Sequence, residues 1–329
     1  MSALAPTLQA FFTERLVSQR RASPHTVASY RDTFCLLLGF VEREIGKAPS
    51  ILQLQDLDAS LIGAFLEHLE RHRHNSVRTR NARLAAIHSL FRFAALRHPE
   101  HAALIERVLA IPQKRFAREI VTFLTDEEVD AILAAPDRTS FLGRRDYALL
   151  LVAIQTGLRV SELIGLRCQD VVLGTGAHVR CVGKGRKERA TPLTRSTTAV
   201  LKTWLDEFNG EPAEPLFPTR QRAPLSRYGV TVLVARHAKT ATACCPSLAT
   251  KKISPHVLRH TAAMRLLHAG TDTAVIALWL GHEGVETTQI YLHADLSIKE
   301  RALARTTPIA GTPGRYRPSD HLLAFLESL

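Results

Sequence analysis

Apolar residues recur at helical spacing over most of this chain, and a single stretch departs from that periodicity. The departure consists of short β-like runs, DVVL, HVRCVG and RKERATPL, which lie between residues 170 and 193 and are separated by glycines. Gly183-Lys184-Gly185, between the last two runs, predicts a tight turn at the lysine. The pattern therefore predicts a mainly α fold with one small antiparallel β-sheet.

Local capping signals mark where several helices begin and end. Ser23-Pro24 places an N-cap residue and a proline ahead of an amphipathic run, and Thr125 with Glu128 matches a capping box. We expect Gly157 to end an apolar helix and Ser161 to cap the short helix that follows it.

The 329 residues, of which 46% are hydrophobic, suffice for two domains with separate cores. A charged segment that includes Pro112 predicts a linker at 111–120 between a helical domain over 1–110 and a second domain over 121–305. In the tail, 306–329, a proline-containing linker precedes a short apolar helix.

The charge of the chain points to a polyanionic partner, because its net charge is +12. Between Glu70 and Glu100 there is no acidic residue, although seven arginines occur there. Arginines without interleaved acidic residues repel one another unless they meet an anion, which favours contact with a DNA backbone over the alternative of an ordinary solvated helix face. The residues assigned to DNA binding are Arg71, Arg73, Arg78, Arg80 and Arg83.

The cysteines and the apolar runs restrict the cellular setting. The five cysteines show no Cys-x-x-Cys spacing, which argues against a disulfide framework or a zinc module and favours a reducing compartment. No apolar run approaches the roughly 20 residues of a membrane helix, and the N-terminus lacks a signal-peptide pattern. We expect a cytoplasmic protein without a membrane partner.

The sequence contains no familiar metal or nucleotide motif. His256 and His260 have the spacing of a zinc-protease helix, but Val257 stands where that motif needs a glutamate. The Gly183-Lys184 pair lacks the earlier glycine of a P-loop, because His178 occupies that position. We therefore predict neither a metal site nor a cofactor.

A set of polar residues in unusual local positions remains: Arg159, Lys184, His256, Arg259, His282 and Tyr291. Each has an ordinary alternative, as a helix-start arginine, an exposed turn lysine, a capping or surface histidine, or a core tyrosine. Together these residue types fit phosphodiester chemistry without a metal. Two guanidiniums bind one phosphate, a tyrosine hydroxyl attacks phosphorus, and a lysine or histidine protonates the leaving oxygen.

Four segments that contain these residues, TGLRVSELIGLR, GKGRKERATPL, SPHVLRHTAAMRLLHAG and LGHEGVETTQIYLH, resemble the tyrosine recombinase (phage integrase) family, especially its Xer-like branch. The resemblance extends from the N-terminal helices to about residue 305. It implies a SAM-like helical core-binding domain and a catalytic domain with the DNA breaking-rejoining fold. It also implies site-specific recombination of DNA strands that needs neither metal nor ATP.

The resemblance implies a role for each matching position. Arg159 and Arg259 would clamp the phosphate, His282 would hydrogen-bond it, and Glu162 would support the first arginine. The groups that act on protons and on phosphorus would be Lys184 as proton donor to the 5′ oxygen, His256 as an aid to proton transfer, and Tyr291 as the nucleophile that forms a 3′-phosphotyrosyl link.

Partners and purpose also follow from the resemblance. It implies double-stranded DNA with specific sites and a homotetramer on two such sites, or a tetramer shared with a related recombinase, in which the C-terminal helix is donated to the next protomer. The irregular segment 240–252 and the tail favour a mobile element, through integration, transposition or resolution. The alternatives are an enzyme like type IB topoisomerases, a catalytically silent DNA-binding regulator and a basic structural protein.

Overall fold

The computed structural model describes residues 3–116, 121–183, 188–282, 288 and 291. The chain divides into two compact units, Met1–Arg118 and Glu119–Leu329. The predicted turn residue Lys184 and the predicted tail helix lie outside the described residues. No helix within the described ranges has the length and apolar character that crossing a membrane requires.

The regular elements in the described part of the first unit are helices, with one isolated β-bridge between Ala3 and Gln53. Its α2 begins at the predicted cap, since the Ser23 hydroxyl accepts the Thr26 backbone N–H at 3.2 Å. Buried aromatic rings, with Phe11 and Phe91 among them, form the centre of its core. The helices are α1 Leu4–Ala10, which continues as a π-helix over Phe11–Gln19, α2 Pro24–Ile45, α3 Ala59–Arg71, α4 Val77–Ala95 and α5 Ala102–Leu109, with 3₁₀ turns at Pro49–Ile51, Leu54–Asp56 and Pro99–His101.

The second unit places a small antiparallel sheet among helices, with strand order β1-β2-β3. Val171 pairs with Val179 and Cys181 with Arg189. The fold class predicted from the sequence is confirmed. Its elements are α6 Asp126–Ala134, α7 Phe141–Thr156, α8 Val160–Gly165, β1 Val171–Val172, β2 His178–Val182, β3 Glu188–Pro192, α9 Arg195–Phe208, α10 Arg227–Ala241, α11 Pro255–His268 and α12 Thr273–Leu280, with 3₁₀ turns at Cys168–Asp170 and Pro246–Thr250.

The capping box at the start of α6 is confirmed and also holds a distant segment. Thr125 and Glu128 exchange backbone-to-side-chain hydrogen bonds at 2.9 and 3.3 Å. Glu128 is 1% exposed, and it accepts Lys251 Nζ at 2.6 Å and Ser247 Oγ at 2.7 Å. The segment 240–252 is thereby attached to α6 directly before α11 begins.

The predicted cap of α8 is wrong. The N-cap residue is Arg159, and Ser161 lies inside the first turn. Glu162, rather than a short hydroxyl side chain, accepts the Arg159 backbone N–H at 2.8 Å. A glutamate at the third helical position can supply the acceptor by itself, so no serine is needed at this helix start.

Gly157 ends α7 in a left-handed conformation with φ of +63°, as the sequence predicted. A Cβ at this position would lie 2.7 Å from Leu280 Cδ2 and 3.0 Å from Ala262 Cβ. The glycine therefore allows α7 to pack closely against both α11 and α12.

Gly157→Ala should destabilise the second unit by roughly 2 kcal/mol or more, from left-handed strain and from overpacking against Leu280. The free energy of unfolding, measured in urea, gives the effect. Gly165→Ala is the control, because a Cβ there would have no atom within 4 Å and its φ is not positive. Equal stabilities of the two variants would contradict the packing argument.

Candidate active site

Three arginines from three different elements converge on the C-terminal end of α12. Each donates a hydrogen bond to one of three successive backbone carbonyls at that end. These carbonyls carry the partial negative charge of the helix dipole, so the helix end attracts the guanidiniums. The pairs are Arg189 Nη1 with Trp279 O at 3.1 Å, Arg259 Nη2 with Leu280 O at 2.8 Å, and Arg159 Nη2 with Gly281 O at 2.9 Å.

The Glu162 carboxylate joins two of these arginines. Its Oε1 accepts Arg159 Nη1 at 2.9 Å, and its Oε2 accepts Arg189 Nη2 at 2.7 Å. The carboxylate is 3% exposed, whereas the Arg159 side chain is 30% exposed. Arg159 therefore keeps a face toward solvent while its guanidinium is held from behind.

Arg259 is buried by the ends of two helices. Its guanidinium donates to the Gly157 carbonyl at 2.6 Å as well as to Leu280. Burial lowers the pKa of Arg259 to about 10, and the nearby charge of Arg159 adds to this effect. The guanidinium remains a cation at neutral pH, held by main-chain oxygens.

Tyr291 is 1% exposed, and its hydroxyl lies 3.1 Å from Nδ1 of His260. Burial lowers the pKa of His260 to about 4, and the neighbouring His256 and Arg259 add to this shift. Burial also raises the pKa of the Tyr291 hydroxyl, against the opposing effect of Arg259. At neutral pH both groups are therefore uncharged, and the tautomer of the His260 ring decides which of them donates the hydrogen bond.

His260 is a residue whose part in the site the sequence analysis missed. The sequence pattern indicated His260 only as a metal ligand paired with His256. The sequence feature that could have identified His260 is its position directly after Arg259 on α11, one turn beyond His256. Its contact with Tyr291 joins positions 31 apart in sequence, which spacing on one helix does not reveal.

The two histidines that the sequence analysis predicted, His256 and His282, lie in different environments. His282 follows the α12 end, and its Nδ1 lies 2.8 Å from Thr288 Oγ1. Burial lowers the pKa of His282 to about 4, and the charges of Arg259, Arg159 and Arg189 lower it further. His256 is exposed at the start of α11, with its ring centroid 6.5 Å from that of His260.

The five arginines assigned to DNA binding do not share one environment. Arg71, Arg73 and Arg78 are exposed, and Arg83 is half-buried. Arg80 is 6% exposed.

The structure contradicts the predicted DNA contact of Arg80. Its guanidinium donates to the Pro112 carbonyl and to Asn81 Oδ1, each at 3.1 Å. The side chain thus packs inside the first unit, because α4 turns this position toward the core.

The described residues contain no group of three or more histidine, cysteine or acidic side chains arranged to hold a metal ion. In the same ranges all five cysteines are free thiols.

Comparison with known proteins gives consistent results. The profile of the phage integrase family matches residues 122–297, and that of the phage integrase N-terminal SAM-like domain matches residues 10–98. The Sinorhizobium fredii protein named "Putative integrase/recombinase y4rC" is 58% identical over 328 residues, which are 100% of this chain and 99% of that protein. Tyrosine recombinase XerC of Pelobacter propionicus is 32% identical over 303 residues, 92% of this chain and 95% of its own length.

Solved structures share the fold. The crystal structure of the XerH site-specific recombinase bound to palindromic difH substrate superposes with a TM-score of 0.71 at 23% identity. The match covers 87% of this chain and 81% of that one.

The half-buried histidines predict how the stability of the second unit depends on pH. His260 and His282 have pKa values of about 4 in the folded chain, against an ordinary 6.5, so the unfolded chain binds these protons more readily. Their contribution to stability is complete above about pH 6.5 and is lost as the pH falls toward 4. The urea midpoint should fall over this window, and His260→Gln or His282→Gln should flatten the fall.

Thr203→Ser, at an exposed position of α9 without an ionisable side chain, serves as the control for that measurement and should leave the slope unchanged. If His260→Gln and His282→Gln both keep the wild-type slope of stability between pH 4 and 6.5, these two half-buried rings do not determine that slope.

Proposed function

Because this chain belongs to the phage integrase family of tyrosine recombinases, we propose that it cleaves and rejoins DNA at specific sites through a bond between Tyr291 and a 3′ phosphate. One observation carries the proposal. Arg159 and Arg259 are held by adjacent carbonyls of one helix end, on the same unit as a tyrosine hydroxyl within reach of a histidine.

The arginine cluster suits a phosphodiester anion. The cluster contains three guanidiniums and one carboxylate, that of Glu162, which bonds two of them, so the cluster keeps a net positive charge. Arg159 presents an exposed face, and a guanidinium fork binds two phosphate oxygens at once. Groups that are already fixed in place stabilise the extra negative charge of the pentavalent transition state without reorganising.

In the cleavage step the Tyr291 oxygen bonds to phosphorus and the bond from phosphorus to the 5′ oxygen breaks. The tyrosine proton passes to the neutral ring of His260, with His256 aiding the transfer, and Lys184 gives a proton to the departing 5′ oxygen. His282 hydrogen-bonds a phosphate oxygen, and Glu162 holds Arg159 in position. Rejoining reverses these steps, because the phosphotyrosine keeps the energy of the broken bond.

The first unit would bind the DNA backbone through the exposed arginines of its basic stretch, and the second unit would carry the chemistry. We assign the first role to 1–110, the second to 121–305, and donation of an apolar helix to a neighbouring protomer to 306–329. Four protomers would act on two DNA sites in the cytoplasm. The 58% identical relative, named as an integrase/recombinase, supports integration, transposition or resolution of a mobile element.

Tyr291→Phe should abolish covalent attachment of the protein to the 3′ end of a DNA substrate nicked near the site, because the attacking oxygen is gone. Denaturing gels measure the adduct, and native gels measure binding and the number of protomers on each site. Tyr147→Phe is the matched control, since a phenylalanine keeps the ring that stacks on Arg138.

An adduct formed normally by the phenylalanine variant at 291 would reject the proposed nucleophile. Relaxation of plasmids without any specific site would instead indicate a topoisomerase-like activity.

Neutralising the exposed pair Arg73 and Arg78 to glutamine should weaken binding to any DNA sequence. It should also flatten the salt dependence by roughly one slope unit for each lost phosphate contact. Fluorescence anisotropy across a series of salt concentrations measures both effects. Arg80→Gln should lower the stability of the first unit and leave the salt slope unchanged, because Arg80 is buried. If Arg80→Gln flattened the salt dependence while the change at Arg73 and Arg78 lowered only the stability, the proposed DNA-binding surface would be contradicted.

A further inference from the structure

Arg189 on β3 is the third arginine at the α12 end, and the proposed chemistry gives it no step. Resting on the proposed function, we infer that Arg189 is a positioning residue that holds Arg159, through Glu162 and the α12 end, in the geometry that grips the scissile phosphate.

The side chain of Arg189 is committed to protein acceptors. Its Nε lies 3.2 Å from Cys181 Sγ, its Nη1 3.1 Å from Trp279 O and its Nη2 2.7 Å from Glu162 Oε2. It is 13% exposed, against 30% for Arg159. All three of its nitrogens are bonded within the protein, so its effect on a substrate has to pass through its neighbours.

Those neighbours belong to three elements that meet at the site. Glu162 lies on α8 and bonds Arg159, while Trp279 lies on α12, one turn before His282. Cys181 is the register partner of Arg189 across β2 and β3, the two strands that flank residues 183–187. Arg189 thus ties the sheet to the helix end that holds the other arginines.

The guanidinium has little freedom to move in this position. Gly281 has a φ of +64°, and a Cβ there would lie 2.4 Å from Arg189 Nη1 and 3.2 Å from its Cζ. The carbonyl of the same glycine accepts Arg159 Nη2. The backbone that orients Arg159 is therefore packed directly against Arg189.

Loss of Arg189 would act on Arg159 by two routes. Glu162 Oε2 would keep only the Arg159 backbone N–H, so the carboxylate would be held by Arg159 alone and would lose its link to the sheet. The α12 end would lose one of its three guanidinium partners, at Trp279 O. Misplacement of a phosphate-binding group by about 1 Å can cost on the order of a hundredfold in rate.

The test compares Arg189→Gln and Arg189→Lys with the wild-type chain. Arg180→Gln is the matched control, because Arg180 sits exposed on neighbouring β2 and its guanidinium donates to the Gln169 carbonyl at 3.0 Å. Single-turnover cleavage at saturating DNA and the Kd for DNA are measured separately. Each is measured with a normal scissile phosphate and with a neutral methylphosphonate at that position.

On the normal phosphate Arg189→Gln should cleave at least about tenfold more slowly, while its Kd stays within about twofold. On the methylphosphonate its deficit relative to wild type should shrink to less than about threefold, since a neutral linkage depends less on correctly placed guanidiniums. Arg189→Lys keeps the positive charge but not the planar guanidinium, so its cleavage rate should lie between those of Arg189→Gln and the wild-type chain. If the glutamine variant fails to fold, the lysine variant provides the test.

Cleavage by Arg189→Gln at the wild-type rate would overturn the inference, and so would an equal deficit on both substrates, which indicates general damage to the fold. A weakened Kd with an unchanged rate would overturn it as well, by making Arg189 a substrate contact. A wild-type chain that forms no covalent adduct would instead contradict the proposed function itself.

Discussion

The burial of the Arg259 guanidinium is the constraint on which the site depends. A buried cation is costly unless hydrogen bonds replace its hydration, and here two main-chain carbonyls do so, from Gly157 and Leu280. Because these carbonyls terminate α7 and α12, both helices must end where the cation lies. The glycines that follow those ends, Gly157 and Gly281, have left-handed backbones that turn the chain at once.

The same helix end also stabilises the close approach of several guanidiniums of like charge. Arg159, Arg189 and Arg259 would repel one another in a low-dielectric setting. The dipole of α12 and the Glu162 carboxylate supply the compensating negative charge. The three guanidiniums are therefore held in one arrangement by groups of the protein itself, which is what the proposed binding of a phosphate requires.

Local signals in the sequence predicted the parts of this architecture that depend on near neighbours. The cap at Ser23, the box at Thr125 and the glycine at the end of α7 depend on residues within a few positions. The resemblance to a family supplied the order of the site residues. Arg80 was misassigned because a count of charges does not say which helix face meets the core. Arg189 left no local trace, because its partners lie 27 and 90 positions away.

The position of Tyr291 has a consequence for timing. If Tyr291 is the nucleophile, as proposed, its side chain has to emerge before it attacks, because a hydroxyl on a residue that is 1% exposed does not meet a phosphate in solvent. The observed cleavage rate is then the product of the intrinsic chemical rate and the fraction of chains whose tyrosine has emerged. A contact that stabilises the emerged tyrosine raises the fraction of such chains. The cleavage rate then rises by the same factor, even though the contact is not made to the phosphate. Under the proposed chemistry, an encounter with DNA that lacks such contacts would then pass without a strand break.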